Sequence, residues 1–276
     1  MIRLFAFDLD GTTITEHRYL SPENRRALLA AAEQGVELVP ATGRMLSFLP
    51  PEIAEFPGVR YAITSNGAAV VDLKSGEAVH QSLIPNETAL QVQELLDGYD
   101  IYIEYYRDGR AITKRGFPEQ ARAFFEMPEV KMFFVQGKEY SFIEDFAAHL
   151  KETDLCPEKI NLPFLQPPLR QEIWQRLENL GGLRLTSSLP DNLEINSMDA
   201  HKGAALLALA EKLGIGREEI MAIGDNGNDV TMLEAAGCSC AVADGAPEAL
   251  AAAKHITAAH DKDGVAKAID TYILHK

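Results

Sequence analysis

Cysteine and tryptophan are nearly missing from this chain, which holds three of the first and one of the second in 276 residues. Cys156, Cys238 and Cys240 are odd in number and lack the spacing of a metal-binding set, and the last two lie one residue apart in an apolar stretch. They read as small side chains packed in a strand, which points to a reducing cytoplasm. Positive charge is also scarce. Lys and Arg number 26 against 41 Asp and Glu, a formal net charge of −15. A field of that sign repels nucleic acid and anionic membrane, so neither is expected as a partner. An anionic ligand would need local cations or a metal ion to hold it. No apolar run approaches bilayer-spanning length. The first ten residues carry one basic side chain and reach two aspartates at once, which excludes the pattern of a secretory signal. Internal repeats, low-complexity tracts and long charged runs are absent from the sequence too.

What is present is a 46% apolar composition over a length that exceeds one small domain. Residues 3–8 form a short apolar run ending in a glycine-containing loop, the pattern of a strand buried on both faces of a parallel sheet. A helix is expected from Ser21-Pro22, with Leu28, Leu29 and Ala32 as its apolar stripe and Gly35 as its stop. Strands follow at 36–41 and 61–65, the latter closed by the turn-forming pair Asn66-Gly67. The rhythm returns late in the chain, with helices at 204–213, 230–236, 247–253 and 265–273 and strands at 220–224, 238–243 and 255–258. Alternation at both ends implies an α/β fold, a Rossmann-like parallel-sheet core with helices on both faces, built from residues 1–82 and 191–276. Between them, residues 83–190 are denser in aromatics and read as an inserted α+β domain. Its expected strands are 101–106, 111–114, 131–135, 183–186 and 193–196, the last just beyond that boundary. Its expected helices are 87–96, 119–125, 142–151 and 170–180.

Four segments carry candidate chemistry. Asp8-Leu-Asp10-Gly11-Thr12 sits where a buried strand gives out, at the edge of the sheet where open α/β folds bind ligands. Two carboxylates one residue apart can converge there on a cation or a reacting atom, although the same composition also makes an ordinary turn. Thr42-Gly43-Arg44 follows the next apolar strand and offers a hydroxyl and open amides as an anion cradle, or simply a helix cap. Lys202 stands at a helix start, an end that is already partly positive. The placement suits an anion held between them; the plainer reading is a solvated lysine. Gly224-Asp225-Asn226-Gly227-Asn228-Asp229 supplies hard oxygen ligands of the kind magnesium prefers, without the spacing and final glutamate of a calcium-binding loop. Singly each is modest, but all four fall after apolar strands or at a helix start, and so can meet along one sheet edge.

In order, these segments resemble the four motifs of the haloacid dehalogenase superfamily. Ser65-Asn66-Gly67-Ala68 and the mid-chain insertion resemble its Cof-like branch with a type IIB cap. The resemblance implies a magnesium-dependent phosphatase acting on a small phosphorylated metabolite. Asp8 would be the nucleophile that forms an aspartyl-phosphate and Asp10 the general acid and base. Asp8, the Asp10 backbone carbonyl and Asp225 would bind Mg2+, with Asp229 close by or acting through water. Thr42, Gly43, Arg44, Lys202 and Asn228 would hold the phosphoryl group. The insertion would act as a lid, with Tyr102, Tyr105, Tyr106 and Arg107 either meeting a substrate ring or, as is commoner for such residues, packing in a core. His201 is expected to be a helix-start neighbour. Sugar phosphates, pyridoxal phosphate and flavin mononucleotide are all within what the resemblance implies. A phosphomutase using the same aspartate, or a sensor modified without turnover, are the alternatives.

Overall fold

The computed structural model describes residues 1–15, 19–114, 140–188 and 191–275. The chain divides into two compact units, one of residues 1–43, 49–81 and 201–276, the other of residues 44–48 and 82–200.

The first unit is built on a parallel five-stranded sheet in the order His255–Ile256, Cys238–Ala241, Ile220–Gly224, Leu4–Phe7 and Glu37–Pro40. Alternation along the central strands explains why it is covered twice. Phe5 and Phe7 join Met221 and Ile223 on one face, under Leu28 and Ala31 of helix Pro22–Glu33 and Val265 and Ile269 of helix Gly264–Tyr272. Leu4, Ala6, Ile220 and Ala222 point the other way, to Leu206 and Leu209 of helix Lys202–Leu213 and Met232 and Leu233 of helix Val230–Ala235. With both faces apolar, the strands read in the sequence as unbroken hydrophobic runs. Ser21 caps the first helix through its hydroxyl, which accepts from the Asn24 amide, and Gly35 follows its end at φ +82°.

Tyr61–Thr64 touches the parallel sheet through the bridge Ala41–Ile63, with Leu38–Val59 just before it, but its main partner is Ala69–Asp72, which forms an antiparallel hairpin with Glu77–Gln81. That hairpin was not expected from the sequence. Glu77–Gln81 is mostly exposed and carries no apolar alternation to betray it.

The second unit is a six-stranded sheet in the order Tyr140–Ile143, Arg110–Lys114, Glu104–Arg107, Lys159–Leu162, Leu193–Ser197 and Leu183–Thr186. One face packs Tyr105, Ile160, Leu162, Leu193 and Ile195 against Val92, Phe146, Leu150, Ile173 and Leu177 from three helices, Asn86–Leu96, Phe146–Thr153 and Pro167–Glu178. Several expectations need correction here. The helix expected at 142–151 begins only at Phe146, because Asp145 caps it by accepting from the Ala148 amide, and Tyr140–Ile143 before it is a strand. Lys159–Leu162 is a four-residue strand with no expectation attached to it. The insertion does not hand back to the core at 191, since Leu193–Ser197 pairs with two strands of this sheet and the unit runs to Ala200. Residues 44–48 also belong to it, because Met45 packs with Tyr106 and Ala111 and the Ser47 amide donates to the Gly109 carbonyl. The helix expected at 119–125 and the strand at 131–135 lie outside the described residues.

The tyrosines divide by face. Tyr105 is core, its hydroxyl donating to Gln93, while Tyr102 and Tyr106 on the opposite face donate to the buried Glu104 carboxylate, each at 3.1 Å. Arg107 donates to the Cys156 carbonyl.

Candidate active site

The side chains of the site in the first unit come from strand ends, from a helix start and from the turns that follow the strands. Asp8 continues strand Leu4–Phe7 by one residue, its amide donating to the Ile223 carbonyl at 3.0 Å. The Thr13 hydroxyl donates to the Asp8 carbonyl at 2.5 Å, which closes the following turn. Within that turn Gly11 adopts φ +81°, and a Cβ there would lie 2.8 Å from Asp225 Oδ2. Only glycine lets this backbone approach the neighbouring loop so closely. Thr12 then reaches across, its Oγ1 donating to Asp225 Oδ1 at 2.6 Å.

Asp225 follows the adjacent strand, Ile220–Gly224, and Asp229 ends the turn Gly227–Asp229. Asp229 is fully buried and uses both oxygens: Oδ2 accepts from the Asp225 and Asn226 amides at 3.0 and 3.1 Å, and Oδ1 accepts from Lys202. Lys202 opens helix Lys202–Leu213, and His201 is that helix's N-cap, with Nδ1 accepting from the Ala204 amide. The lysine is not solvated. It has no exposed surface, and its Nζ lies 2.6 Å from Asp8 Oδ1 and 2.6 Å from Asp229 Oδ1. The anions it meets are carboxylates of the chain itself.

The charges do not balance. Burial pushes the Asp8 carboxyl well above its ordinary range; Lys202 opposes this, while Asp229 and Asp225 add to it. Asp225 is raised in the same way, by burial first and Asp229 second, against the Thr12 hydroxyl bond and Lys202. Burial alone would lower the Lys202 ammonium, but Asp229 and Asp8 outweigh it and hold it above its usual value. Asp8, Asp225 and Asp229 present carboxylate oxygens all within 4.8 Å of one another. Three carboxylates against one ammonium leave an excess of two negative charges in a largely buried place, and the donors are all hard oxygen. Those residues fit a divalent cation of the magnesium type. The Asp10 carboxylate is not part of that cluster; Asp10 is half-buried on the same turn.

Thr42 is buried two residues past strand Glu37–Pro40, its amide donating to the Ile63 carbonyl at 2.9 Å, and Gly43 is the last residue of this unit before residues 44–48, which go with the other. Arg44 is the next residue. It goes with the second unit, and its Nη1 donates to the Phe48 carbonyl at 3.2 Å. Asn228 is joined to Asn66, Nδ2 donating to Oδ1 at 3.2 Å. Two residues that build the site were therefore underrated in the sequence. Thr12 stands inside a motif without a role of its own, and Asn66 is read as half of a turn and as part of a segment carrying the family resemblance, with no role for its side chain.

With this geometry in view the comparisons with known proteins are specific. The model of the haloacid dehalogenase-like hydrolase family matches residues 5–269. Phosphatase YwpJ of Bacillus subtilis is 30% identical over 285 residues, spanning 96% of this chain and 98% of that protein. Pyridoxal phosphate phosphatase YbhA of Escherichia coli is 28% identical over 279 residues, spanning 99% of each. Among solved structures, a haloacid dehalogenase-like hydrolase from B. subtilis superposes with a TM-score of 0.84 at 29% identity, over 99% of this chain and 100% of that one. The chain belongs to the haloacid dehalogenase-like hydrolase family. It is an enzyme, a phosphatase of that type.

Proposed function

We propose that this phosphatase hydrolyses monoesters of small phosphorylated metabolites by transferring the phosphoryl group to Asp8. The observation that carries the reading is the buried Lys202 ammonium, 2.6 Å from both Asp8 and Asp229, in a cluster that also includes Asp225. Lys202 fixes one oxygen of Asp8 and so orients the carboxylate for in-line attack on phosphorus. As the P–O bond to the leaving group breaks, Asp10 gives its proton to the departing oxygen. Asp10 then takes a proton from the water that attacks the aspartyl-phosphate, releasing inorganic phosphate and restoring Asp8. Thr42, Gly43 and Asn228 hold the phosphoryl oxygens with neutral donors, and Lys202 supplies the local positive charge that a chain of this net charge otherwise lacks. Arg44 is a lesser contributor.

Asp8, the Asp10 carbonyl and Asp225 would hold Mg2+, with Asp229 anchoring Lys202 and the loop behind them. When bound, the cation would offset the excess negative charge, keep Asp8 ionised and neutralise the phosphoryl oxygens. Because burial raises Asp8 and Asp225, a cation must displace protons from them, so its apparent affinity rises with pH above the ordinary carboxylate range. Chelation of divalent metal is expected to abolish phosphate release from a generic phosphomonoester, and added magnesium to restore it. Hydrolysis that persists in excess chelator would count against the reading. Asp10→Asn should slow alkyl phosphates by about 100-fold or more and aryl phosphates, whose leaving groups need less protonation, by much less. Equal losses on the two substrate series, measured as kcat/KM, would remove Asp10 from its role.

For substrate, the class is that of sugar phosphates, pyridoxal phosphate or flavin mononucleotide, and the pyridoxal phosphate activity in the name of YbhA supports the second. Discrimination among them is assigned to the inserted unit. A magnesium-dependent screen of phosphorylated metabolites ranked by kcat/KM tests this directly. A cytoplasmic setting fits the free thiols of Cys156, Cys238 and Cys240, and among the described residues no helix is long and apolar enough to cross a membrane.

A further inference from the structure

Residues 65–67 form a knuckle of unusual backbone. Ser65, Asn66 and Gly67 adopt φ of 52°, 61° and 98°, three left-handed residues in succession, and all three are buried. A serine gains nothing from that conformation and an asparagine only tolerates it, so the surroundings must hold the knuckle in place. Its contacts lead to three separate parts of the site. The Asn66 amide donates to the Thr42 carbonyl at 3.1 Å. Asn66 Oδ1 accepts from Asn228 Nδ2 at 3.2 Å. Gly67 lies against the start of the Lys202 helix so closely that a Cβ there would sit 2.4 Å from the His201 carbonyl carbon and oxygen and 2.7 Å from the Lys202 nitrogen.

We propose that this knuckle is a positioning device and that Asn66 is a positioning residue, which sets the orientation of the Asn228 carboxamide. The inference rests on the reading of Asn228 as a phosphoryl-holding residue. A carboxamide can turn about its last torsion and present either two N–H donors or a carbonyl acceptor, and only the donor side suits a phosphoryl oxygen. Asn66 Oδ1 accepts and cannot donate. It therefore captures one N–H of Asn228 Nδ2 and leaves the second N–H of the same nitrogen for the anion. Without that acceptor, Asn228 is free to present its carbonyl oxygen to phosphate, which repels it. Asparagine suits position 66 on two counts: it tolerates the left-handed backbone and supplies the acceptor. Glycine would meet only the first requirement.

A double-mutant cycle of Asn66→Gly and Asn228→Ala tests this, with kcat and KM for a generic phosphomonoester and competitive inhibition by inorganic phosphate as readouts. Asn66→Gly keeps the backbone conformation and removes the acceptor, so the melting temperature should change little while kcat/KM falls about 10-fold and phosphate inhibition weakens. In the Asn228→Ala background the same change should have almost no further effect, because there is no carboxamide left to orient. Losses that multiply in the double variant would overturn the positioning role while leaving the phosphatase reading intact. Asn228→Ala with wild-type kinetics would overturn both the role of Asn228 and the inference built on it. Asn66→Asp offers a second variant should Asn66→Gly fold poorly, since aspartate tolerates the same backbone and still accepts from Asn228. It is expected to keep kcat within about threefold of wild type, its added charge appearing in KM. A kcat as low as that of Asn228→Ala would rule out orientation by an acceptor.

Discussion

Replacing Asp8 by asparagine is expected to lower kcat for any phosphomonoester by about 10³-fold or more, because a neutral amide is a poor nucleophile and a poor ligand for a hard cation. The same substitution should leave the fold in place. The bonds that fix this residue in the sheet are made by its backbone, whose amide donates to the Ile223 carbonyl and whose carbonyl accepts from Thr13. An asparagine Oδ1 can still accept from Lys202. The stability effect has a definite sign. Asp8 is raised in the folded protein chiefly by burial, so the folded state binds its proton more readily than the unfolded chain does. Ionised Asp8 therefore costs stability once the pH passes above the ordinary carboxylate range, and the cost is complete above the raised folded value. The amide carries no such cost. Without divalent metal at neutral pH, Asp8→Asn should melt no lower than wild type, and added magnesium should raise its melting temperature less. Near wild-type hydrolysis by the purified variant would remove Asp8 from the chemistry. A variant that is inactive but also unfolded would show instead that the side chain is structural.

The parts of this site that were legible in the sequence are those whose signal is local. Asp8, Thr42 and Asp225 each follow a strand buried on both faces, and such strands announce themselves as short apolar runs ending in loops. Lys202 was visible because a lysine at a helix start is electrostatically out of place. What stayed hidden depends on pairs remote in the chain. The Thr12 hydroxyl bonds to Asp225, 213 positions away, and the Asn66 side chain to Asn228, 162 positions away. No periodicity reports such a contact. The unit boundary at Arg44 was hidden for a related reason: its neighbours Thr42 and Gly43 belong to the sheet unit, but Met45, one residue further, is anchored on Tyr106 and Ala111 of the inserted one. In the inserted unit the strands are four or five residues long and mixed in polarity, as in Lys159–Leu162, so their number and the 193–197 return were harder to read than the core.

Lys202→Met is the complementary experiment, and its largest effect should appear in stability as well as in rate. Methionine is close to lysine in volume and one atom shorter, so packing at this fully buried position is nearly preserved while the ammonium is lost. Asp8 and Asp229 then face each other with no cation between them. Removing one partner from a buried ion pair costs about 3–5 kcal/mol, and here one ammonium serves two carboxylates, both at 2.6 Å. The pH dependence separates this from a packing defect. The Lys202 pKa is raised in the folded state, so its contribution is fully present below the ordinary lysine range and fades only as pH climbs through the raised value. Across neutral pH wild type therefore keeps all of it. In the variant Asp8 loses the charge that opposes its upward shift, and it relieves the strain by taking a proton as the solution is acidified. The melting-temperature gap between wild type and Lys202→Met should consequently be widest at neutral and mildly alkaline pH and narrow toward the carboxylate range. Magnesium should recover part of the stability, since it supplies positive charge to the same oxygens. It should not recover turnover, which needs the ammonium to orient Asp8 and to meet the transferring phosphoryl group. A gap independent of pH would assign Lys202 a packing role, and retained turnover would separate it from the reaction altogether.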